Sequence, residues 1–143
     1  MRVMVLGSFD ILHYGHMALL KFGKQLAGND EFIVGLNTGH FIRQFKGHFP
    51  TLSFIERKRM LLSLPWVDQV VKNLEPRKTA GEVMLANGIE LVVSGSDWHR
   101  KDLPKQWGVD YDWLDKHGIS VCYYPLIKEM SSSIIKERIR KLV

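Results

Sequence analysis

Short apolar runs alternate along the chain with longer stretches of helical periodicity. The first run stops abruptly at Gly7, as expected for a strand that is covered on both faces. The five runs with the length of a strand are Val3–Leu6, Phe32–Leu36, Val67–Val71, Ile89–Ser94 and Ile119–Tyr124. Strands that alternate with helices predict an α/β fold, a doubly wound open parallel sheet of about five strands with helices on both faces.

The first helix is the clearest of the predicted helices. From about Tyr14 to Ala27, large apolar residues recur on one broad face, and Gly28 follows as a stop signal. The segment from Asn37 to Leu52 has no clean period, so we expect a long loop there that carries the basic residues Arg43 and Lys46.

Capping patterns indicate where the later helices begin. Ser53 followed by Glu56 predicts a helix through about Leu64, and Thr79 followed by Glu82 predicts another that ends at Gly88. Two further helices are expected, around Asp110–Lys116 and from Ser131–Ser133 onwards.

Composition and charge narrow the class of protein. The chain has 143 residues, of which 45% are hydrophobic and 24% charged, so a single domain over residues 1–143 with a real core is expected. The net charge of +5 is scattered, without a long basic run interleaved with aromatic residues, which argues against nucleic acid as a partner. One cysteine, Cys122, and no apolar run of signal-peptide or transmembrane length predict a cytoplasmic protein without membrane attachment.

The turn between the first strand and the first helix carries the strongest chemical signal. It reads Gly7-Ser8-Phe9-Asp10-Ile11-Leu12-His13-Tyr14-Gly15-His16. A helix start offers free N–H groups and a positive dipole end, and both favour a phosphate. Because the two histidines are three residues apart, their rings can point the same way and donate hydrogen bonds to oxygens that gain charge in a transition state.

Other interpretations of these residues are less favoured. Two histidines could bind a metal, but the chain supplies no matching third ligand at a suitable spacing, so no protein metal site is expected. Either ring could be an inconsequential surface group, and Gly7 could merely end a strand. The combination of glycines, an aspartate and two histidines at the end of one buried strand favours a phosphate site over each of these.

The same residues resemble a known family. His13-Tyr14-Gly15-His16 resembles the His-x-Gly-His signature of the nucleotidylyltransferase superfamily, in particular its cytidylyltransferase branch, and its glycerol-3-phosphate cytidylyltransferases above all. The resemblance covers nearly the whole chain. The further matching segments are Ile55-Glu56-Arg57-Lys58, Trp66-Val67-Asp68-Gln69-Val70-Val71, Gly95-Ser96-Asp97-Trp98 and Ser131-Ser132-Ser133-Ile134-Ile135-Lys136. The resemblance implies a Rossmann-like fold, a homodimer and direct transfer of CMP from CTP to a phosphorylated alcohol, with release of pyrophosphate.

The resemblance also implies roles for particular residues. His13, His16 and Lys46 would be catalytic, the histidines by stabilising charge on the triphosphate. The nucleotide-binding residues would be Gly7, Ser8, Phe9, Asp10, Gly15, Arg57, Asp97, Trp98, Ser131, Ser132 and Ser133. Arg43 and Lys128 are weaker candidates for binding the acceptor. Mg²⁺ is expected as the cofactor, held mainly by the triphosphate because this ion keeps few protein ligands.

Two departures from the branch leave the substrates open. Pro65 or Leu64 stands where the branch has an arginine, and Leu126-Ile127-Lys128-Glu129 replaces its Arg-Thr-Glu-Gly. A lysine supplies charge without the bidentate fork of arginine. The serine-rich ending also resembles adenylyltransferases. An adenylyltransferase that uses ATP, and a module that binds nucleotide without catalysis, therefore remain alternatives to the cytidylyltransferase.

Overall fold

The computed structural model describes residues 1–96, 102–125, 127 and 129–143. Five strands form one sheet in the order β3-β2-β1-β4-β5, and all the neighbouring pairs are parallel. The strands are β1 Val3–Gly7, β2 Phe32–Asn37, β3 Gln69–Asn73, β4 Leu91–Gly95 and β5 Ser120–Tyr124. The predicted parallel sheet is confirmed, and its order reverses between β1 and β4.

Helices cover both faces of the sheet. They are α1 Tyr14–Ala27, α2 Gly39–Lys46, α3 Phe54–Leu62, α4 Pro76–Ala86, α5 Leu103–Trp107, α6 Tyr111–Lys116 and α7 Ser132–Arg140. Successive strand residues point to opposite faces: Val3 and Val5 pack with Leu20 of α1, whereas Met4 packs with the residues of α4 to α6. Within the described ranges, no helix combines the length and the apolarity needed to cross a membrane.

The predicted loop from Asn37 to Leu52 is wrong in part, because it contains α2. The Thr38 side chain accepts a hydrogen bond from the backbone N–H of Phe41, and Gly47 ends the helix in the left-handed conformation. Phe41, Ile42 and Phe45 do recur at helical spacing, but the helix has only eight residues, so the period is too short to recognise in the sequence.

The capping box predicted at Thr79 is also wrong. Helix α4 begins earlier, at Pro76, since proline is well suited to the first helical position. Thr79 lies inside the helix, where its hydroxyl donates to the carbonyl oxygen of Glu75 at 3.0 Å. The capping box of Ser53 and Glu56, by contrast, is present at the start of α3 as predicted.

Two smaller differences concern β3 and α5. β3 begins at Gln69, two residues later than predicted, because Val67 packs into the core before the strand starts. Helix α5 follows β4 and was not predicted; Asp102 caps it by accepting from the backbone N–H of Lys105.

Candidate active site

The turn that follows β1 is tightly folded. Phe9 adopts a positive φ of 44°, which is uncommon for any residue other than glycine. Its ring is buried and lies against Gly7, where an added Cβ would come within 2.8 Å of it. The same ring contacts the imidazole of His16, with 5.1 Å between centroids. The Phe9 ring therefore packs between Gly7 and His16 and holds this turn in place, and Gly7 leaves room for the ring because it has no side chain.

His13 and His16 lie together at the start of α1. Their rings are stacked, with 3.7 Å between centroids and 24° between planes. His13 is the cap of the helix, and its Nδ1 accepts hydrogen bonds from the backbone N–H groups of Gly15 at 3.1 Å and His16 at 3.4 Å. Because Nδ1 is an acceptor, a neutral His13 carries its proton on Nε2, which is then a donor.

Both imidazoles are expected to be uncharged near neutral pH. Burial lowers the pKa of His16 to about 3, and the nearby His13 and Lys46 add to this effect. Burial also lowers the pKa of His13. Among the described residues, Nδ1 of His16 has no hydrogen-bond partner although it is buried. A neutral His13 can therefore donate a hydrogen bond through Nε2, at the start of α1.

The three serines predicted at the start of α7 have three different environments. Ser131 caps the helix by accepting from the backbone N–H of Ile134 at 3.1 Å. The Ser132 hydroxyl donates to the carbonyl oxygen of Ile11 at 2.9 Å and accepts from its N–H at 3.3 Å. Ser133 is exposed and borders the cavities described below. Ser132 therefore ties α7 to the β1 turn, and Ser133 is the freest to meet a ligand.

Asp10 holds three parts of the site together. Its carboxylate accepts from the backbone N–H groups of Thr51 and Leu52, both at 2.8 Å, and from Nζ of Lys136 at 2.7 Å. Burial opposes ionisation, but these hydrogen bonds, first that from Lys136, keep the pKa of Asp10 below its usual value. Asp10 thus connects the β1 turn to the segment before α3 and to α7.

Lys136 was not among the predicted site residues. It is the last residue of the matching segment Ser131-Ser132-Ser133-Ile134-Ile135-Lys136. A sequence signal for it existed, because it lies four residues after Ser132 and therefore on the same face of α7. Its ion pair with the nearly buried Asp10 shows that this face turns towards the β1 turn.

Arg57 lies in the interior of the protein, behind the loops of the candidate site. Its side chain is fully buried, and it is not among the residues that border the two cavities described below. Its Nη1 donates to the carbonyl oxygens of Ser8 at 2.9 Å and Asn37 at 2.8 Å, and its Nε to that of Leu52 at 3.1 Å. Arg57 therefore connects three segments of the chain through hydrogen bonds to the carbonyl oxygens of Ser8, Asn37 and Leu52.

Two adjoining cavities open at this edge of the described structure, with volumes of about 640 and 440 Å³. His16, Lys46, Ser132 and Ser133 border both. The larger cavity is also bordered by Gly7, Ser8, Phe9 and Asp10. The smaller cavity is also bordered by His13, Gly15 and Ser131. Most of the predicted site residues are therefore brought together around two connected spaces.

One described candidate, Arg43, lies away from these cavities. Arg43 borders neither cavity, and its guanidinium carbon lies 4.9 Å from the centre of the Phe49 ring. Asp97, Trp98 and Lys128 lie outside the described residues. Among the described residues, no group of three or more histidine, cysteine, aspartate or glutamate side chains is arranged to hold a metal ion.

Comparison with known proteins identifies the family. Residues 4–138 match the model of the family described as cytidylyltransferase-like. The chain is 34% identical to the glycerol-3-phosphate cytidylyltransferase of Bacillus subtilis (strain 168), over 99% of this chain and 98% of the relative. It is 33% identical to the FAD synthase of Korarchaeum cryptofilum (strain OPF8), over 99% of this chain and 92% of that protein.

A solved structure has a similar fold. The lipopolysaccharide core biosynthesis protein from Thermoplasma volcanium GSS1 superposes with a TM-score of 0.67 at 26% identity, covering 87% of this chain and 94% of that one. The match to the family model spans nearly the whole chain, including the β1 turn and the start of α7. The chain therefore belongs to the cytidylyltransferase-like family, and it is a nucleotidyltransferase.

Proposed function

We propose that this enzyme transfers CMP from CTP to a phosphorylated alcohol and releases pyrophosphate. The observation that carries this proposal is the stacked pair of His13 and His16, because His16 borders both cavities and His13 borders the smaller one. Two substrates could approach these rings from opposite sides, as a direct transfer between them requires. The similarity to a glycerol-3-phosphate cytidylyltransferase over nearly the full length supports the base and the acceptor class.

The reaction needs little covalent chemistry from the protein. A phosphate oxygen of the acceptor forms a bond to the α-phosphorus of CTP, and the bond from that phosphorus to the bridging oxygen breaks. The electron pair leaves with pyrophosphate, so negative charge grows on that oxygen. Neutral N–H donors from His13 and His16 stabilise this charge without having to lose a proton themselves.

Cationic side chains complement these donors. Lys46 borders both cavities, and Nζ of Lys136 lies at the edge of the larger one beside Asp10. The N–H groups at the starts of α1 and α7 add partial positive charge. Mg²⁺ would enter with the triphosphate and neutralise part of its charge. Asp10 is already engaged by Lys136 and two backbone groups, so the ion would take its ligands mainly from phosphate oxygens.

A second candidate is transfer of AMP from ATP. The similarity to an FAD synthase at nearly the same identity favours it. The residues that the resemblance assigns to the nucleoside, Asp97 and Trp98, would discriminate between the two bases.

One experiment distinguishes the candidates. Pyrophosphate release is measured with each of the four ribonucleoside triphosphates and Mg²⁺, against a panel of phosphorylated alcohols that includes glycerol 3-phosphate. Turnover with CTP alone supports the first proposal, and turnover with ATP alone supports the second. Tight binding of a triphosphate without turnover on any acceptor would contradict both and indicate a module that binds nucleotide without catalysis.

A further inference from the structure

The two cavities lie on different sides of β1. The strand order reverses between β1 and β4, and the smaller cavity lies at that reversal, because Gly95 at the end of β4 borders it together with His13 and Gly15, which follow β1. Ligands of open α/β sheets bind at such a reversal. The larger cavity is bordered instead by Asn37 at the end of β2 and by residues of α2 and α4. If the enzyme acts as proposed above, the larger cavity is therefore left for the acceptor.

Two cations at the larger cavity have no acidic partner. Three of its basic side chains are already paired with carboxylates: Lys105 with Asp102, Lys136 with Asp10, and Arg140 with Glu137. Lys46 and Arg77 also border the cavity, and neither has a carboxylate within 4.0 Å among the described residues. The charge of Lys46 helps to lower the pKa of His16, so Lys46 lies where the reacting phosphate is expected. Arg77 is left for a different anion.

Arg77 is held in place by an aromatic wall on α2. Its guanidinium carbon lies 4.8 Å from the centre of the Phe45 ring and 6.0 Å from that of Phe41. Among the described residues its N–H groups donate no hydrogen bond, so they remain available to a ligand. The planar fork of an arginine matches the two oxygens of a carboxylate, and a single carboxylate balances its single charge.

Gln106 gives a second, independent indication of a ligand. Its Oε1 is buried and has no hydrogen-bond partner among the described residues, and the side chain borders the same cavity as Arg77. A buried acceptor without a partner is costly, and a hydroxyl group on the ligand would satisfy it.

We propose that the acceptor is a phosphorylated hydroxy acid, whose carboxylate binds Arg77 and whose free hydroxyl donates to Oε1 of Gln106. The proposal rests on the proposed function, because it assumes that the acceptor enters through the larger cavity. The phosphate of this acceptor forms the new bond to the α-phosphorus as described above, and pyrophosphate leaves. The carboxylate binds without taking part in any change of bonds.

The test compares two acceptors with the same three-carbon body in the full-length protein. 3-Phosphoglycerate carries a carboxylate where glycerol 3-phosphate carries a hydroxymethyl group; each is assayed for pyrophosphate release with CTP and with ATP in the presence of Mg²⁺. We expect kcat/KM to be at least about tenfold higher for 3-phosphoglycerate, as is typical of a hydrogen bond to a charged group. Equal values, or a preference for glycerol 3-phosphate, would overturn the proposal.

Matched variants locate the preference for the carboxylate. Arg77→Gln should reduce the ratio of the two kcat/KM values about tenfold, chiefly through KM for 3-phosphoglycerate, whereas Arg77→Lys should keep part of it. Lys78→Gln removes the neighbouring exposed cation, which does not border the cavity, so the ratio should not change. Because both acceptors are measured with each protein, a loss of folded enzyme cancels from the ratio. Equal effects of Arg77→Gln and Lys78→Gln would overturn the role of Arg77.

The hydroxyl is tested with a third acceptor. 3-Phosphonooxypropionate lacks the free hydroxyl of 3-phosphoglycerate, so kcat/KM should be at least about threefold lower because Oε1 of Gln106 stays unpaired. Gln106→Leu should abolish this difference. Gln44→Leu, at an exposed position that does not border the cavity, should keep it. A difference that survives in the Gln106 variant would contradict the role of Gln106.

A failure of the proposed function gives a different result. If no triphosphate reacts with any of these acceptors, calorimetric titration still measures the binding of 3-phosphoglycerate. Binding that Arg77→Gln weakens about tenfold and Lys78→Gln leaves unchanged would support the carboxylate site. Absence of binding to the native protein at millimolar concentration would refute it. Turnover of glycerol 3-phosphate without a preference for 3-phosphoglycerate would refute it as well, while the proposed function would stand.

Discussion

Helices α1 and α7 begin at the same edge of the sheet, but they are held there in different ways. Helix α1 packs on the sheet through Leu20, Gly23 and Ala27, which are buried. Helix α7 has no buried residue. It is connected to the β1 turn by polar contacts, from Ser132 to Ile11 and from Lys136 to Asp10.

This difference shows two ways of holding a helix start at the candidate site. Apolar packing holds α1 in place, and with it the two histidines at its start. This packing depends little on charge or pH. Hydrogen bonds and one ion pair position α7, so its place depends on the charge of the groups involved. The donors on α1 are therefore expected to govern the rate, and the contacts of α7 to govern stability.

The largest effect is expected from the α1 side. His16→Ala should lower kcat by about 10²–10³ because one transition-state donor is lost. The thermal unfolding curve should remain cooperative, since α1 is held by its apolar face. His117→Ala, at the exposed position that caps the end of α6, is the control and should keep the native rate. Near-normal pyrophosphate release by the His16 variant would show that the mechanism is wrong.

The ion pair of α7 should have the next largest effect, this time on stability. Lys136→Met leaves the nearly buried carboxylate of Asp10 without its cation and should cost about 1–3 kcal/mol in the free energy of unfolding. Lys78→Met breaks an exposed pair with Glu75 at 3.6 Å and should cost less than about 0.5 kcal/mol. Both values come from urea unfolding at neutral pH. Equal costs would show that α7 is not held through Asp10.

Part of the pH dependence of the free energy of unfolding should come from His16 on α1. The pKa of His16 is about 3 in the folded protein and 6.5 in the unfolded chain, so the unfolded chain binds the proton first. Stability should therefore fall as pH drops from 6.5 towards 5, by up to about 1.4 kcal/mol per pH unit from this residue.

His16→Asn tests that assignment. In this variant the free energy of unfolding should fall less steeply as the pH drops over the same range. A smaller decline should remain in both the native protein and the variant, because the pKa of His13 is also lowered. Urea unfolding at half-unit steps of pH measures both slopes. An unchanged slope in the variant would contradict a neutral, buried His16.

The smallest effect is expected from the serines. Ser132→Ala removes two hydrogen bonds to Ile11 and should cost about 1 kcal/mol in the free energy of unfolding. Ser133→Ala, at an exposed position, should change it by less than about 0.5 kcal/mol. If Ser133 binds the nucleotide, as the resemblance implies, its variant should instead weaken triphosphate binding in calorimetric titration. Equal stability losses would contradict the separate roles of the two serines.

Much of this edge of the molecule could be predicted from the sequence because the signals were local. The strand that ends at Gly7, the helix from Tyr14 to Ala27 and the capping box at Ser53 each depend on neighbouring residues. Helix α2 was missed although Phe41, Ile42 and Phe45 recur at helical spacing, because a helix of eight residues repeats that spacing over barely two turns. So short a period is hard to tell from a loop in the sequence.

The sequence by itself determined the parallel sheet, the two histidines at the first helix start and the family to which they belong, because these follow from local spacing and composition. Only the tertiary structure decided that Arg57 is buried beneath three loops and that Lys136 pairs with Asp10. The partners in these contacts are up to 126 residues apart in the chain, so no local pattern encodes them. Folding brings them together because buried charged groups require hydrogen-bond partners, wherever in the chain those partners lie.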